Sequence, residues 1–198
     1  MGKQLIISIG REFGSSGHEI AEIIAKDLNL PLYDRSLLEN IAEEKGFSLD
    51  ALQQYDEKRK NVFISRSVRG YSNSIPDAIA QVQFDYIREK AASGESFVVV
   101  GRCAEVVLKD NPRLFSVFVL GDKDAKQKHV MEKYHLSADD ALSKMKRHDM
   151  NRKAYHNSYS KTKWGDSRGY DLCINSSKFG IENTVKLIEF YAQIKANN

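Results

Sequence analysis

Short apolar runs recur along the chain at intervals that fit the strands of an α/β domain. Two of them, LIISI at 5–9 and FVVVG at 97–101, are almost continuously apolar. Such runs are typical of strands that helices cover on both faces. Further strands are predicted at 114–120 and 170–176, with a weaker one at 31–34. The pattern therefore predicts five strands.

Helix-like stretches separate these strands. Apolar residues at helical spacing predict helices over 75–92 and 180–195, and a more polar helix is predicted over 122–136. Strands that alternate with helices indicate a three-layer α/β domain around a mostly parallel, five-stranded sheet. A chain of 198 residues suits one such domain, so we expect 1–198 to form a single unit.

Two polar stretches interrupt the alternation. Residues 58–74 are basic and weakly periodic. Residues 144–169 carry eight Lys or Arg against two Asp, with Tyr155, Tyr159 and Trp164 among them. Long polar insertions in a compact α/β domain are typically functional. The three aromatic side chains either stack on a nucleotide base or pack the insertion against the core.

Composition narrows the class of protein. A hydrophobic content of 41% is enough for a core, and a net charge of +3 gives no general case for binding nucleic acid or a membrane. No apolar run approaches the ~20 residues of a membrane span, and no signal sequence precedes the first strand. We therefore expect a cytoplasmic protein, in which Cys103 and Cys173 are reduced.

The stretch GREFGSSGHE links the first strand to a helix. Gly14, Ser15, Ser16 and Gly17 form its centre. Glycines permit backbone angles that turn successive N–H groups toward one concavity, and the helix N-terminus adds further N–H groups and the positive end of its dipole. The stretch is interpreted as a phosphate-binding loop, with an ordinary tight turn as the alternative.

The side chains of this loop are unusual. When the pattern G-x-x-x-x-G-K-[ST] is aligned with its last glycine at Gly17, Glu12 replaces the first glycine. His18 then replaces the lysine, and Glu19 replaces the hydroxyl residue. His18 carries a positive charge only when protonated, a form that a neighbouring phosphate favours. The backbone contribution to anion binding does not depend on the lysine.

The order of GREFGSSG, LYDR, VVVGRCAEVVL, KRHDMNR and WGDSRGYDLCINSS resembles the cytidylate kinase-like family, a branch of the nucleoside monophosphate kinases. The resemblance covers nearly the whole chain. It implies a P-loop kinase fold with an NMP-binding region at about 35–95 and a basic lid at about 144–169. It also implies ATP as phosphoryl donor, Mg²⁺, and a small phosphorylated acceptor.

The resemblance also implies roles for individual residues. The loop from Gly14 to Glu19, including His18, would hold the donor phosphates. Acceptor binding would fall to Asp34, Arg102 and Asp149. The candidate catalytic residues are His18, Arg147 and Arg152. Asp34 is equally interpreted as a cap for the helix that follows it.

One departure from the family bears on the metal. Val100 occupies the position at which family members hold Mg²⁺ through an aspartate, so the metal ligands are open, with Glu12 and Glu19 as candidates. Three functions follow as alternatives. The first is ATP-dependent phosphoryl transfer, the second is a nucleotide-binding sensor or regulator without turnover, and the third is nucleic-acid binding through residues 144–169.

Overall fold

The computed structural model describes residues 3–45, 67–68, 71–72 and 75–197. The strands are β1 (Ile6–Arg11), β2 (Leu32–Tyr33), β3 (Ser67–Val68), β4 (Tyr71–Ser72), β5 (Phe97–Val100), β6 (Leu114–Leu120) and β7 (Leu172–Asn175). Five of them form one sheet in the order β2-β5-β1-β6-β7. Every pairing in that sheet is parallel, which confirms the predicted five-stranded parallel sheet. The strands β3 and β4 form a separate antiparallel pair.

The helices are α1 (Gly17–Asp27), α2 (Leu37–Lys45), α3 (Ile75–Ala92), α4 (Ala104–Val107), α5 (Lys123–Tyr134), α6 (Ala138–Tyr159) and α7 (Ser176–Asn197), and a 3₁₀ turn spans Ser167–Gly169. The helix α7 is broken at Gly180, where φ is 73°. The lengths of α3 and β6 agree with the predicted 75–92 and 114–120.

Alternate residues of the central strand β1 enter two different cores. Ile7 and Ile9 pack with side chains of α1 and α7 on one face of the sheet. Ile6 packs with side chains of α2 and α3 on the other face. Because successive side chains of a strand point to opposite faces, this division places a helical layer on each side of the sheet. The predicted three-layer arrangement is confirmed.

The basic stretch 144–169 is largely helical. Most of it belongs to α6, which has 22 residues and begins at a Ser137 cap whose hydroxyl accepts a hydrogen bond from the Asp140 amide at 3.2 Å. Tyr159 meets Phe84 edge to face with ring centroids 5.1 Å apart. These contacts support the packing role of the aromatic side chains, and they weaken the nucleic-acid interpretation because a packed ring is not free to stack on a base.

Other predictions fall partly outside the described residues. The basic stretch 58–74 is described only at 67–68 and 71–72, and the NMP-binding region at 35–95 is described only at its two ends and in those strands. In the described part of the chain, no helix combines the length and the apolar character that a membrane span requires.

Candidate phosphate-binding site

Hydrogen bonds of the Ser15 and Ser176 hydroxyls hold the loop between β1 and α1 in place. The hydroxyl of Ser15 donates to the carbonyl oxygens of Glu12 at 2.9 Å and Val119 at 3.0 Å. The hydroxyl of Ser176 donates to the carbonyl oxygen of Ser15 at 2.7 Å. These bonds tie the loop to β6 and to the start of α7. The loop is therefore rigid before any ligand arrives.

The turn itself uses left-handed backbone at two positions. Gly14 has a φ of 86° and Ser16 a φ of 56°, and α1 begins at the next residue, Gly17. The sequence pattern would place the last flexible residue of the loop at Gly17. The structure instead gives that conformation to Ser16, a non-glycine residue in a region where L-residues are uncommon.

The amides of the turn are free to bind an anion. Across the described residues, no protein acceptor pairs with five backbone N–H groups, those of Gly14, Ser16, Gly17, His18 and Glu19. The first amides of a helix have no partner within the helix and carry the positive end of its dipole. An anion at this point would therefore meet several unpaired donors on one short segment.

Gly17 and Gly101 both lie against Arg11. A Cβ at Gly17 would lie 2.5 Å from Cβ of Arg11 and 3.4 Å from Cβ of Val119. At Gly101, where φ is 75°, a Cβ would overlap Nη1 of Arg11. The Arg11 side chain therefore runs from the end of β1 between the phosphate loop and the turn after β5. The loop pattern does not identify this residue, although a charged side chain at the end of a central apolar strand is a signal in the sequence.

The guanidinium of Arg11 lacks partners. Its Nε is buried and makes no hydrogen bond. Burial lowers the pKa of Arg11 to about 9, and the like charges of Arg152 and Arg102 act in the same direction. The carboxylates of Asp34 and Glu105 act in the opposite direction. Even so, the guanidinium is protonated at neutral pH.

The turn after β5 carries Arg102 in a strained backbone. Gly101, Arg102 and Cys103 have successive φ values of 75°, 58° and 52°. Left-handed backbone costs a non-glycine residue on the order of 1–3 kcal/mol and persists where the surroundings enforce it, commonly at functional sites. The Arg102 guanidinium forms no hydrogen bond or ion pair with the rest of the described chain. A surface ion pair therefore does not account for it.

His18 lies beside the predicted acceptor residue Asp34. Its Nε2 is 3.4 Å from Oδ2 of Asp34 and 3.3 Å from Oε1 of Glu22. The other oxygen of Asp34 accepts a hydrogen bond from the Ser36 amide at 2.9 Å, and its carbonyl accepts one from Leu37 at 3.2 Å. Asp34 thus closes the turn that leads into α2, which begins at Leu37, and its role as a cap of that helix stays a prediction.

Asp34 is ionised at neutral pH. Burial raises its pKa, but hydrogen bonds from Ser36 and the nearby imidazole of His18 outweigh that effect, so the pKa is lowered. The site thus presents a carboxylate with one oxygen directed toward His18.

The helix α6 rests directly on the phosphate loop. Oδ1 of Asp149 accepts a hydrogen bond from the Phe13 amide at 2.7 Å. Nη1 of Arg152 donates to the carbonyl oxygen of Arg11 at 3.2 Å and lies 3.7 Å from Oδ1 of Asp149. The ring of His148 stacks on Phe13 with centroids 4.3 Å apart and an interplanar angle of 6°. Asp149 and Arg152 thus both contact the loop backbone.

Other predicted residues lie differently. Arg147 is on an exposed face of α6 and makes no hydrogen bond or ion pair to a described residue. Oε2 of Glu12 accepts bonds from Nζ of Lys126 at 2.7 Å and from the Gly121 amide at 3.1 Å. Because Glu12 is already neutralised, Glu19 is the better candidate for contact with a metal.

The described residues contain no group of three or more His, Cys, Asp or Glu that could hold a metal ion by themselves. Mg²⁺ in phosphoryl-transfer sites is usually held by substrate phosphates, waters and one or two carboxylates. Glu19, an acidic residue in the first turn of α1, suits that mode of binding. It does not fit a metal bound in the absence of nucleotide.

Three comparisons place the chain among known proteins. A model of the cytidylate kinase-like family matches residues 6–178. A cytidylate kinase from Methanococcus vannielii is 25% identical over 188 residues, which cover 93% of this chain and 98% of that protein. The crystal structure of an uncharacterized protein from Eubacterium ventriosum has a TM-score of 0.77 and 42% identity, covering 96% of this chain and 99% of that one.

A shikimate kinase from Bacteroides thetaiotaomicron has a TM-score of 0.55 at 12% identity, covering 96% of this chain and 98% of that chain. At so low an identity the likeness bears on the fold alone. It confirms the predicted kinase fold.

Proposed function

Because the chain belongs to the cytidylate kinase-like family, we propose that it transfers the γ-phosphoryl group of ATP to a small phosphorylated acceptor, with a pyrimidine nucleoside monophosphate as the first candidate. The observation that carries this proposal is the set of unpaired amides from Gly14 to Glu19 at the start of α1. Unpaired N–H groups at the start of a helix suit the phosphates of a nucleotide.

The residues around the loop divide between donor and acceptor. The loop amides hold the donor phosphates. Arg102, at the carboxyl end of β5, holds the acceptor phosphate through a guanidinium that forms no bond with other described residues. Ligands of open α/β sheets bind at this edge. Asp34 and His18, which lie 3.4 Å apart, orient the acceptor beside the loop.

Transfer at this site depends on position and charge. Phosphoryl transfer needs little covalent participation by the protein, because alignment and electrostatic stabilisation lower most of the barrier. Arg152 on α6 is held over the loop by its bond to the Arg11 carbonyl, where it can shield the reacting phosphate from water. Mg²⁺, when bound with the nucleotide near Glu19, supplies charge neutralisation at the phosphates.

A nucleotide-binding sensor without turnover is the second candidate. Val100 replaces the acidic residue of the family, and Glu12 is bonded to Lys126 at 2.7 Å. Both features reduce the groups available to hold a metal, and they affect rate more than binding. This candidate shares the nucleotide site, so only turnover separates the two.

Calorimetric titration with ATP·Mg and with CMP tests the site. We expect both ligands to bind, and Arg102→Ala to weaken CMP by about tenfold with a smaller effect on ATP. His18→Ala should likewise act mainly on CMP, because His18 faces Asp34. Lys26→Ala, at an exposed position in the last turn of α1, is the matched control and should change neither affinity.

Turnover is tested in a steady-state assay with ATP·Mg and a panel of nucleoside monophosphates. ADP release that depends on one acceptor supports phosphoryl transfer. Tight ATP binding without product from any acceptor supports the sensor instead. Failure of the wild-type protein to bind ATP or CMP would refute both functions.

A further inference from the structure

The phosphate loop has no free cation of its own. His18, at the position where the pattern expects lysine, lies beside two carboxylates, those of Glu22 and Asp34. Lys126, which lies against the loop, is neutralised by Glu12 at 2.7 Å. A polyanion held by amides alone would leave most of its charge uncompensated. A positive side chain from elsewhere in the structure would add to the compensation that Mg²⁺ brings with the nucleotide.

Arg11 lies in the position to provide it. The residue ends β1, the central strand of the sheet, whose neighbours are β5 and β6. Its Cβ lies against Gly17, the first residue of α1, and its Nη1 lies against Gly101, where the Arg102 turn begins. The side chain thus spans the gap between the loop that would hold the donor and the turn that would hold the acceptor.

The surroundings of Arg11 are poorly suited to a purely structural arginine. Its buried Nε has no partner, and no hydrogen bond or ion pair joins its guanidinium to another described residue. Arg102 and Arg152 repel it, and the carboxylates of Asp34 and Glu105 attract it without a hydrogen bond or ion pair. Buried charges are ordinarily paired and hydrogen-bonded, because an unpaired one is costly to desolvate. A bound anion would supply the missing partner.

We propose that Arg11 replaces the missing lysine of the phosphate loop, and that its guanidinium contacts the phosphoryl group where donor and acceptor meet. The assignment of ATP and its acceptor as the ligands of Arg11 rests on the proposed function, whereas anion binding by Arg11 does not. Arg11 is thereby a catalytic residue that the loop pattern does not identify. Gly17 and Gly101 are the positions that give its side chain room.

The step itself leaves Arg11 unchanged. The bond between the γ-phosphorus and the bridging oxygen of ATP breaks as a bond to the acceptor phosphate oxygen forms, and ADP is the leaving group. The guanidinium keeps its proton and donates hydrogen bonds to the non-bridging oxygens, where negative charge is concentrated. A planar fork of donors can contact two of those oxygens at once, which an ammonium group does less well.

Titration with inorganic tripolyphosphate isolates the anion from the nucleoside. We expect Arg11→Met to bind tripolyphosphate at least tenfold more weakly than wild type. Arg11→Lys should lie between the two, because it keeps the charge and loses the fork. Arg113→Met is the matched control and should leave binding unchanged. Arg113 immediately precedes β6 at its amino end, whereas Arg11 lies at the carboxyl end of β1.

Thermal unfolding without ligand separates this role from a structural one. Arg11→Met should melt at the same temperature as wild type or higher, because a half-buried guanidinium whose buried Nε lacks a partner is removed. Tripolyphosphate should then raise the melting temperature of wild type more than that of the variant. A variant that melts well below wild type and keeps its affinity for tripolyphosphate would show that Arg11 is structural.

Other outcomes separate the role of Arg11 from the proposed function. Unchanged affinity of Arg11→Met for both tripolyphosphate and ATP overturns the role of Arg11 and leaves the proposed function standing. Binding of tripolyphosphate through Arg11 with no binding of ATP overturns the proposed function and keeps the anion role. Binding of neither by wild type overturns both. If Arg11→Met does not fold, wild-type affinity and kcat in Arg11→Lys overturn the guanidinium's role.

Discussion

A buried ion pair joins α6 to the segment that follows the Arg102 turn. Nε2 of His156 lies 2.9 Å from Oε1 of Glu105, and each side chain is only 5% exposed. The hydroxyl of Ser8, on β1, reaches the second oxygen of Glu105 at 3.5 Å. Because water cannot replace a lost partner at this depth, the pair offers a sensitive test of how α6 is held on the core.

Loss of one partner should be far more damaging than loss of both. His156→Ala leaves the Glu105 carboxylate buried without its partner, for which we expect a loss of about 3–5 kcal/mol in the free energy of unfolding. That is a large part of the roughly 5–15 kcal/mol typical of a whole domain. The double change His156→Phe with Glu105→Leu removes both charges and fills the space, so it should be much closer to wild type.

The stabilisation should also depend on pH. Burial acts to lower the pKa of His156, but the hydrogen bond and the charge of Glu105 outweigh it and raise the pKa. A group whose pKa is raised on folding stabilises fully below its unfolded pKa of about 6.5. That contribution is lost as the pH rises through the folded value. The advantage of wild type over the double variant should therefore shrink from about pH 6 upward.

Urea unfolding followed by circular dichroism, at intervals between about pH 5.5 and 9, measures these differences. The free energies of wild type, the single variants His156→Phe and Glu105→Leu, and the double variant form a double-mutant cycle. Strict additivity of the two single changes, or a difference between wild type and double variant that does not vary with pH, would refute the reasoning.

Two further predictions concern the loop. Gly17→Ala should lower the free energy of unfolding by about 1–3 kcal/mol in urea titrations, because its Cβ would lie 2.5 Å from that of Arg11, whereas Lys26→Ala on the same helix should have little effect. If Gly17→Ala has the same free energy of unfolding as wild type, α1 and β1 can separate easily enough to admit the added methyl group. Asp149→Leu should lower the free energy of unfolding by about 1–3 kcal/mol, because the Phe13 amide loses its acceptor at 2.7 Å. The same change should weaken ATP binding in calorimetry. Equal affinity for ATP in the variant would contradict a link between α6 and the loop.

The regular parts of the fold were predictable because their sequence pattern is strong. The run LFSVFVL marks β6 at 114–120, and the apolar stripe over 75–92 marks α3. The last helix was predicted from 180 but begins at Ser176. The segment before Gly180 looks like a continuation of the strand in sequence. The first turn of α7 was therefore missed, and the predicted start of the helix at 180 coincides with the break at Gly180.

The long helix α6 was hidden by its polarity. It has no wide apolar stripe, because only Ala141, Met145 and His156 along it are buried. Local signals did exist in the Ser137 cap and the acidic first turn that follows it. Its contacts with the loop depend on tertiary packing and could not be inferred from spacing.

The sequence predicts where the loop of the candidate site lies, but it does not predict which side chains supply or neutralise charge beside that loop. The position of the turn between β1 and α1 follows from local sequence. The role of Arg11 does not, because its environment is created by two glycines that are distant from each other in the chain. Likewise, Glu12 could not be assigned to Lys126 before β1 and α5 were placed side by side.

The contact between Gly17 and Arg11 limits which sequences this fold can use. Because the clash involves Cβ of Arg11, a relative that acquires a side chain at position 17 must carry glycine at position 11 or hold α1 further from β1, so the two sites are expected to change together during evolution. Restoring the loop lysine at position 18 does not involve this contact, so the arginine at the end of β1 need not change with it.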